Sequence, residues 1–359
     1  MVIEWLQIQN TRNLTNTRIH PSANINLIIG PNASGKTSIL EAIYLLSRAR
    51  SFRTPRTQEV IQHDKPSLLV TAGLRNARGA IIKTGIEKTA DRTVIHYNGE
   101  NIKKISVQAK NTPVVLIAPD VNSLVLSPPK QRRNWLDWIM FHVEPNYLVD
   151  WRNYYKALRQ RNKSLSGPPG SFDAISAWEQ IMAVNAERIT SQRQEILIKI
   201  QHNLDVIGNN LLPFKAQICL DRGWPAAQPI LGCLESNRTK DRHAGFTRNG
   251  IHSSDICFSV NNRPLAVVCS RGQIKLFLIL LFISQARTIE IMTGEQPLYL
   301  IDDYGAEIDA HSRDLVLNLL ESLNVQAFLT ATEPVFTGPP RNRVKMFHVE
   351  RGGVVKVVE

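Results

Sequence analysis

The chain has 359 residues, with 43% hydrophobic and 21% charged side chains, which is ordinary for a soluble protein with one large or two modest cores. Lys and Arg total 43 against 31 Asp and Glu, and the net charge of +12 points to a polyanionic partner. No uninterrupted apolar run approaches the roughly 18 residues of a membrane span. Met1-Val2-Ile3-Glu4-Trp5 shows no leader pattern either, so a cytoplasmic protein without a membrane partner is expected. Cys219, Cys233, Cys257 and Cys269 have neither C-x-x-C spacing nor a histidine cluster beside them, which argues against zinc and disulfides and predicts buried thiols.

Residues 1–29 read as a hairpin, with Ile3, Leu6 and Ile8 on one strand and Ile25 to Ile29 as the other. Arg12, between them, reads either as a solvated loop residue or as one that reaches a nucleotide phosphate. Gly30-Pro31-Asn32-Ala33-Ser34-Gly35-Lys36-Thr37 then fits the phosphate-binding pattern G-x-x-x-x-G-K-[ST]. Ile39, Leu40, Ile43 and Leu46 recur at helical spacing, so a helix opens at the lysine. Strand, glycine loop and helix start aim backbone N–H groups at one point, a seat for a polyphosphate. Lys36 is expected to reach the β/γ-phosphates and the Thr37 hydroxyl to ligate Mg²⁺.

After a basic connection with Arg48, Arg50, Arg53 and Arg56, strands are predicted at Ser67 to Leu74, Ala80 to Ile86, Val94 to Tyr97 and Val114 to Ile117. Asn98-Gly99 marks a hairpin turn, and Pro119 closes the last strand. Antiparallel strands beside a P-loop strand predict a mixed sheet.

Residues 128–208 read as helical. Leu148, Trp151, Tyr155 and Leu158 form one face of a first long helix, and Arg152, Lys156, Arg159 and Lys163 form another. Ser166-Gly167-Pro168-Pro169-Gly170 breaks the chain, and a second helix carries Trp178, Ile181, Ile189, Ile196, Ile200 and Leu204, which together predict a short antiparallel arm. Over 130–163 the basic residues outnumber the acids eight to three, with aromatics interleaved. Arg132, Arg133, Arg152, Lys156, Arg159 and Lys163 are therefore candidates for DNA contact, against the plainer reading of a solvated helix face. Leu211 to Leu220 reads as a strand and Pro229 to Arg238 as a short helix.

Ser270-Arg271-Gly272-Gln273 precedes an apolar helix, Ile274 to Ile291. Leu298-Tyr299-Leu300-Ile301-Asp302-Asp303 is a buried strand closed by two carboxylates, the Walker B pattern. Asp302 is expected on Mg²⁺, and Asp303 is placed to polarise the attacking water. Ala306-Glu307-Ile308-Asp309, a strand at Ala327 to Thr330, and a terminal hairpin of Lys345 to Val349 and Val354 to Val358 about Gly352-Gly353 follow. P-loop, long insertion, signature serine before a helix, Walker B and A-x-x-D, in that order, belong to ATPases of the ABC type.

On these motifs, together with Thr11-Arg12-Asn13, Pro119 with Asp120, Pro129 with Leu136-Asp137, and Gly250 with His252 and Asp255, the whole chain resembles the RecF family of bacterial recombination mediators, relatives of the SMC heads. The resemblance implies an α/β, ABC-type head, roughly 1–118 and 256–359, interrupted by a mainly helical lobe, 119–255, that carries the arm. It implies an ATP-dependent DNA-binding homodimer of recombinational gap repair, replication restart and the SOS response. Such proteins act at single-strand/double-strand junctions with RecO and RecR and help load the recombinase. Weak, DNA-stimulated ATP hydrolysis would serve as a switch. The resemblance also places Ser270 and Gly272, within the signature Ser270 to Gln273, on the γ-phosphate held by the other subunit. It puts Arg12 on phosphate or nucleoside and Asp309 at the dimer interface. The chain departs from the family pattern at Thr11, where an aromatic residue is usual, and at Ile251, Ser253 and Ser254 around His252. The rival readings are an ABC transporter-type ATPase subunit, an SMC-like structural DNA protein and a small-molecule P-loop kinase. The long separation of Lys36 from Ser270 argues against the first, the short arm against the second and the signature serine against the third.

Overall fold

The structure is a computed structural model that describes residues 1–76, 79–102, 112–118, 122–167, 175–306, 308–334, 342–350 and 353–358. In chain order it begins with β1 (Val2–Thr11), β2 (Leu14–Ile19), β3 (Ile25–Ile29), α1 (Lys36–Arg48), β4 (Leu68–Arg75), β5 (Ile81–Lys88), β6 (Thr93–Tyr97), β7 (Glu100–Ile102) and β8 (Val114–Ile117). The middle comprises α2 (Asn122–Leu126), α3 (Pro129–Val143), α4 (Tyr147–Leu165), α5 (Ile175–Gly208), β9 (Ala216–Asp221), α6 (Ile230–Ser236), α7 (Arg238–Ala244), β10 (Asp255–Val260), β11 (Arg263–Pro264) and α8 (Leu265–Val268). The last stretch is α9 (Arg271–Thr293), β12 (Leu298–Ile301), α10 (Ala310–Ser322), β13 (Ala327–Ala331), β14 (Val344–Glu350) and β15 (Gly353–Val358). Pro119, Asp120, the turn residues Pro168 to Gly170, Glu307 and Gly352 lie outside the described residues.

The chain divides into two compact units, Met1–Val121 with Arg271–Glu359, and Asn122–Ser270. The first is α/β and holds two six-stranded sheets. One is antiparallel in the order β2-β1-β4-β5-β6-β7. The other runs β15-β14-β3-β13-β12-β8, with β14, β3, β13, β12 and β8 parallel and β15 antiparallel at the edge. Strands of a parallel sheet are covered on both faces and read as nearly continuous apolar runs, which is why Ile25–Ile29, broken only by Asn26, and Leu298–Ile301 are so plain in the sequence. α1 shares one core with both sheets: Ile39, Leu40, Ile43 and Leu46 pack with Leu6, Ile8 and Val70 of the antiparallel sheet and with Ile28, Leu300 and Phe328 of the other. Asn98 and Gly99 both have positive φ, 52° and 89°, and join β6 to β7 in the tight turn their dipeptide predicts.

The hairpin expected over residues 1–29 is corrected by the structure. β1 pairs with β2, not with β3, which sits in the parallel sheet. Leu14-Thr15-Asn16-Thr17-Arg18-Ile19 was invisible as a strand because only Leu14, Thr17 and Ile19 face inward and one of those is polar. The thiols are corrected too: Cys233 is buried, but Cys219 and Cys257 are exposed on β9 and β10 and Cys269 is intermediate. α9 is long and apolar enough by composition to cross a membrane, yet 67% of its most apolar window is buried inside the protein, the pattern of a core helix.

The second unit is mainly helical. In α4 and α5, Arg161 bonds Glu179, Asp150 bonds Arg188, and Tyr147 bonds Arg193; one number rises as the other falls, so the pair is antiparallel. The buried face of α4 is Tyr147, Asp150, Tyr154, Ala157, Leu158, Arg161 and Leu165, rotated by about one residue from the apolar stripe read in the sequence. Two charged residues on that face disguised it. Arg161 is fully buried and shared among Glu179, Asp241, Thr247 and the Leu234 carbonyl, so each of its neighbours' charges is answered. In α5, Ile181 is 39% exposed whereas Met182, Ala183 and Ala186 are buried. β9 pairs with β10 and β10 with β11 in a small antiparallel sheet. The compact unit consequently runs to Ser270 and not to residue 255, because β10 finds its partners among residues upstream of it.

Candidate nucleotide-binding site

The P-loop leaves β3 at Gly30, whose φ is 152° and whose place admits no side chain. A Cβ there would lie 2.3 Å from the Val349 carbonyl of the neighbouring strand β14. Ala33 and Gly35 also have positive φ, 62° and 118°, and α1 begins at the next residue, Lys36. Pro31, Asn32 and Ala33 are exposed and Ser34 is buried. Asn13 braces the loop from β1's turn. Its Nδ2 donates to the Ala33 carbonyl at 3.1 Å, and its Oδ1 accepts from the Ser38 hydroxyl at 3.1 Å. Lys36 Nζ donates to the carbonyls of Gly30 and Pro31 at 2.7 and 2.8 Å. Burial lowers the Lys36 pKa, and the nearby Asp303 and Asp302 oppose that shift. Arg12, Asn13, Lys36, Thr37 and Arg53 are among the residues lining a cleft of about 580 Å³ over the loop.

The second half of the site comes from the parallel sheet. β12 runs between β8 and β13 and is followed directly by Asp302, whose N–H is held by the Ile117 carbonyl at 2.8 Å. Its Oδ1 accepts from the Thr37 hydroxyl at 2.9 Å and from the Thr330 hydroxyl at 2.6 Å, with the residue 7% exposed. The structure thus brings the P-loop threonine and the strand-end aspartate together, as their motifs predicted. Asp303 takes φ 51°, its N–H donates to Thr330 Oγ1 at 2.8 Å, and it is exposed. Thr330 therefore ties the Asp302 carboxylate to the Asp303 backbone. In the sequence Thr330 is only the last residue of the strand Ala327 to Thr330.

Arg12 is anchored from behind. Its guanidinium meets both oxygens of the buried Glu41 at 2.9 and 3.0 Å and the Glu59 carbonyl. Arg53, read in the sequence only as part of a basic connection, lies 3.9 Å from the same carboxylate and faces the cleft. Glu41 and Arg53 carried no motif that could have singled them out, and Asn13 stood out only as the end of Thr11-Arg12-Asn13, with no role attached. The signature residues Ser270 and Arg271 are exposed, with Gly272 and Gln273 half-buried, at the start of α9. None of the four lines this cleft among the described residues. Farther along the same helix, the buried Lys275 donates to the Ala306 carbonyl after Walker B. Asp309 caps α10, accepting from the Ser312 N–H and hydroxyl at 2.9 and 2.7 Å, bonds that hold its pKa below the usual value.

The DNA candidates separate into two groups. Arg152, Lys156, Arg159 and Lys163 are exposed along one face of α4, and no ion pair is formed by them among the described residues. Arg132 and Arg133 are half-buried and bonded within their own unit. Arg132 forms a two-point ion pair with Asp255 at 2.7 and 2.8 Å and also donates to the Ser127 carbonyl, while Arg133 donates to the Ser254 carbonyl.

Residues 2–354 match the family profile described as RecF/RecN/SMC N terminal domain. The DNA replication and repair protein RecF of Shewanella woodyi is 35% identical over 364 aligned positions, which cover 99% of this chain and 98% of that one. This chain belongs to the RecF family. The RecF of Shewanella oneidensis is 36% identical over 361 positions, covering 98% of each chain. A solved structure described as the recombination mediator protein RecF-ATP in the RecFOR pathway superposes with a TM-score of 0.86 at 25% identity, over 100% of this chain and 98% of that one. An SMC head bound to the C-winged helix domain of ScpA superposes at 0.60 with 16% identity, a likeness of fold.

Proposed function

We propose that this chain is an ATP-binding DNA-repair protein of recombinational gap repair and replication restart, cytoplasmic, dimerising on ATP and working with RecO and RecR at single-strand/double-strand junctions. The observation that carries the reading is the convergence of Lys36, Thr37, Asp302 and Asp303 across two distant parts of the sequence. In the solved relative described as RecF-ATP the same fold is associated with that nucleotide. The Thr37 hydroxyl and the Asp302 carboxylate, already touching, supply the hard oxygen donors that Mg²⁺ takes. A bound Mg²⁺ would neutralise charge on the β/γ-phosphates; Lys36 would leave its loop carbonyls to meet the same charge, and Asp303 would orient the attacking water. The exposed basic face of α4 would add sequence-independent contacts to the DNA backbone.

The deciding experiment is steady-state ATP hydrolysis by the full chain with and without gapped duplex DNA. Slow turnover that rises with gapped DNA supports the reading. Hydrolysis indifferent to DNA, with no DNA binding at physiological salt, would return the chain to a head that serves some other partner, as in an ABC transporter.

A further inference from the structure

We propose that Glu41 is a positioning residue for the nucleotide, holding the guanidinium groups of Arg12 and Arg53 at the P-loop cleft; this rests on the reading of that cleft as a nucleotide site. Glu41 lies on α1, little more than one turn after Lys36, among side chains that are mostly apolar, and it is 0% exposed. An ionised carboxylate in such surroundings needs cations and donors around it. It has four: Arg12 Nε and Nη2 on its two oxygens, the Ser51 hydroxyl, and Arg53 Nη1 at 3.9 Å. Arg12 is fixed at its backbone as well, with φ 53° and its N–H on the Val60 carbonyl at 2.8 Å. Three of its five N–H groups are engaged, which leaves two for a ligand.

Electrostatics explains the arrangement. Lys36, Arg12 and Arg53 line one cleft, and three cations there would repel one another toward solvent. A buried carboxylate between the two arginines offsets part of that repulsion and fixes their direction. Their ordering is then complete before a polyphosphate arrives, so binding loses less side-chain entropy.

The test is titration of the full chain with a fluorescent ATP analogue, comparing the parent, Glu41→Gln, the pair Arg12→Ala/Arg53→Ala, and the triple variant. Glu41→Gln is expected to weaken binding roughly tenfold, the coupling typical of one ion-pair network, and to add nothing in the arginine-free background. Unchanged affinity in Glu41→Gln, or a loss of the same size without the arginines, overturns the proposal. Arg12→Lys serves if Glu41→Gln fails to fold. It keeps the charge but cannot span both carboxylate oxygens, so it should bind as weakly as Arg12→Ala; parental affinity would overturn the role. Lys36→Met separates the two readings. If it binds ATP normally, the nucleotide site itself is wrong, whatever Glu41 does.

Discussion

Asp302 and Asp303 are adjacent yet placed for different work. Asp302 is buried against two hydroxyls, while a left-handed backbone turns Asp303 outward. Asp303→Asn is expected to keep nucleotide binding and to slow hydrolysis at least ~10²-fold, the usual loss with a general base. Single-turnover ATPase measures it, and a rate within a few-fold of the parent would assign the water to another group. The pair was legible because an apolar strand closed by acids is a local pattern. Thr330 was not, because its hydroxyl reaches them only through the parallel pairing of β12 with β13. His252 makes a second prediction. Its Nε2 donates to the Thr247 carbonyl at 2.8 Å, and its Nδ1 pairs with the Tyr154 hydroxyl at 2.7 Å. Burial lowers its pKa below 6.5; Arg133 and Arg161 push the same way, and Asp241 and the Thr247 carbonyl oppose. Above that value neither folded nor unfolded chain binds the proton. As pH falls below it, the unfolded chain takes a proton that the folded chain resists, so stability drops. Thermal melts from pH 7.5 to 5.5 should show the fall, and His252→Gln should flatten it. Equal slopes would place the acid sensitivity elsewhere.

The arm is the element where reading and structure differ most instructively. Its basic stripe was correct in exposure, since Arg152, Lys156, Arg159 and Lys163 keep the helical spacing of a solvent face. Its core stripe was displaced, because Asp150 and Arg161 occupy buried positions that a hydrophobic pattern assigns to apolar residues. Arg132 and Arg133 sit in the same basic run, but their partners, Asp255 and Ser254, are far away in sequence. Replacing the four α4 residues by Ala should weaken DNA binding for all sequences alike and flatten the log–log dependence on salt, as fewer counterions are released. An unchanged slope would leave this face merely solvated.

For the molecule as a whole, the family resemblance implies an α/β head with an insertion, and the chain divides into two compact units, Met1–Val121 with Arg271–Glu359, and Asn122–Ser270. The end of the insertion was misplaced because β10 looks like a return to the head until its pairing with β9 is known. Assembly belongs to this scale. Ser270 immediately precedes α9, a helix start whose backbone N–H groups suit a γ-phosphate carried by a second copy. A ligand that touches both copies favours the dimer. Ser270→Arg should still bind ATP, since Lys36 and Thr37 are intact, but should lose ATP-driven association and hydrolysis. Sedimentation with and without ATP reads this directly; persistence of the ATP-dependent dimer would refute a shared site.

Strand order has a consequence for the birth of the protein. β3, which feeds the P-loop, is flanked by β13 and β14, so Ile25 waits for Ala327 and Val344 before it has a neighbour on either side. Residues 122–270 form one continuous stretch with its own core and can collapse while the ribosome is still working. The four apolar residues of β3 have no such shelter, and an unpaired apolar strand is an invitation to aggregate. The nucleotide loop is thus the first motif translated and the last to acquire its frame, closing only when the Val349 carbonyl arrives beside Gly30. A nascent chain of this kind is a natural client for chaperones, and a message truncated late yields a folded middle without a working head.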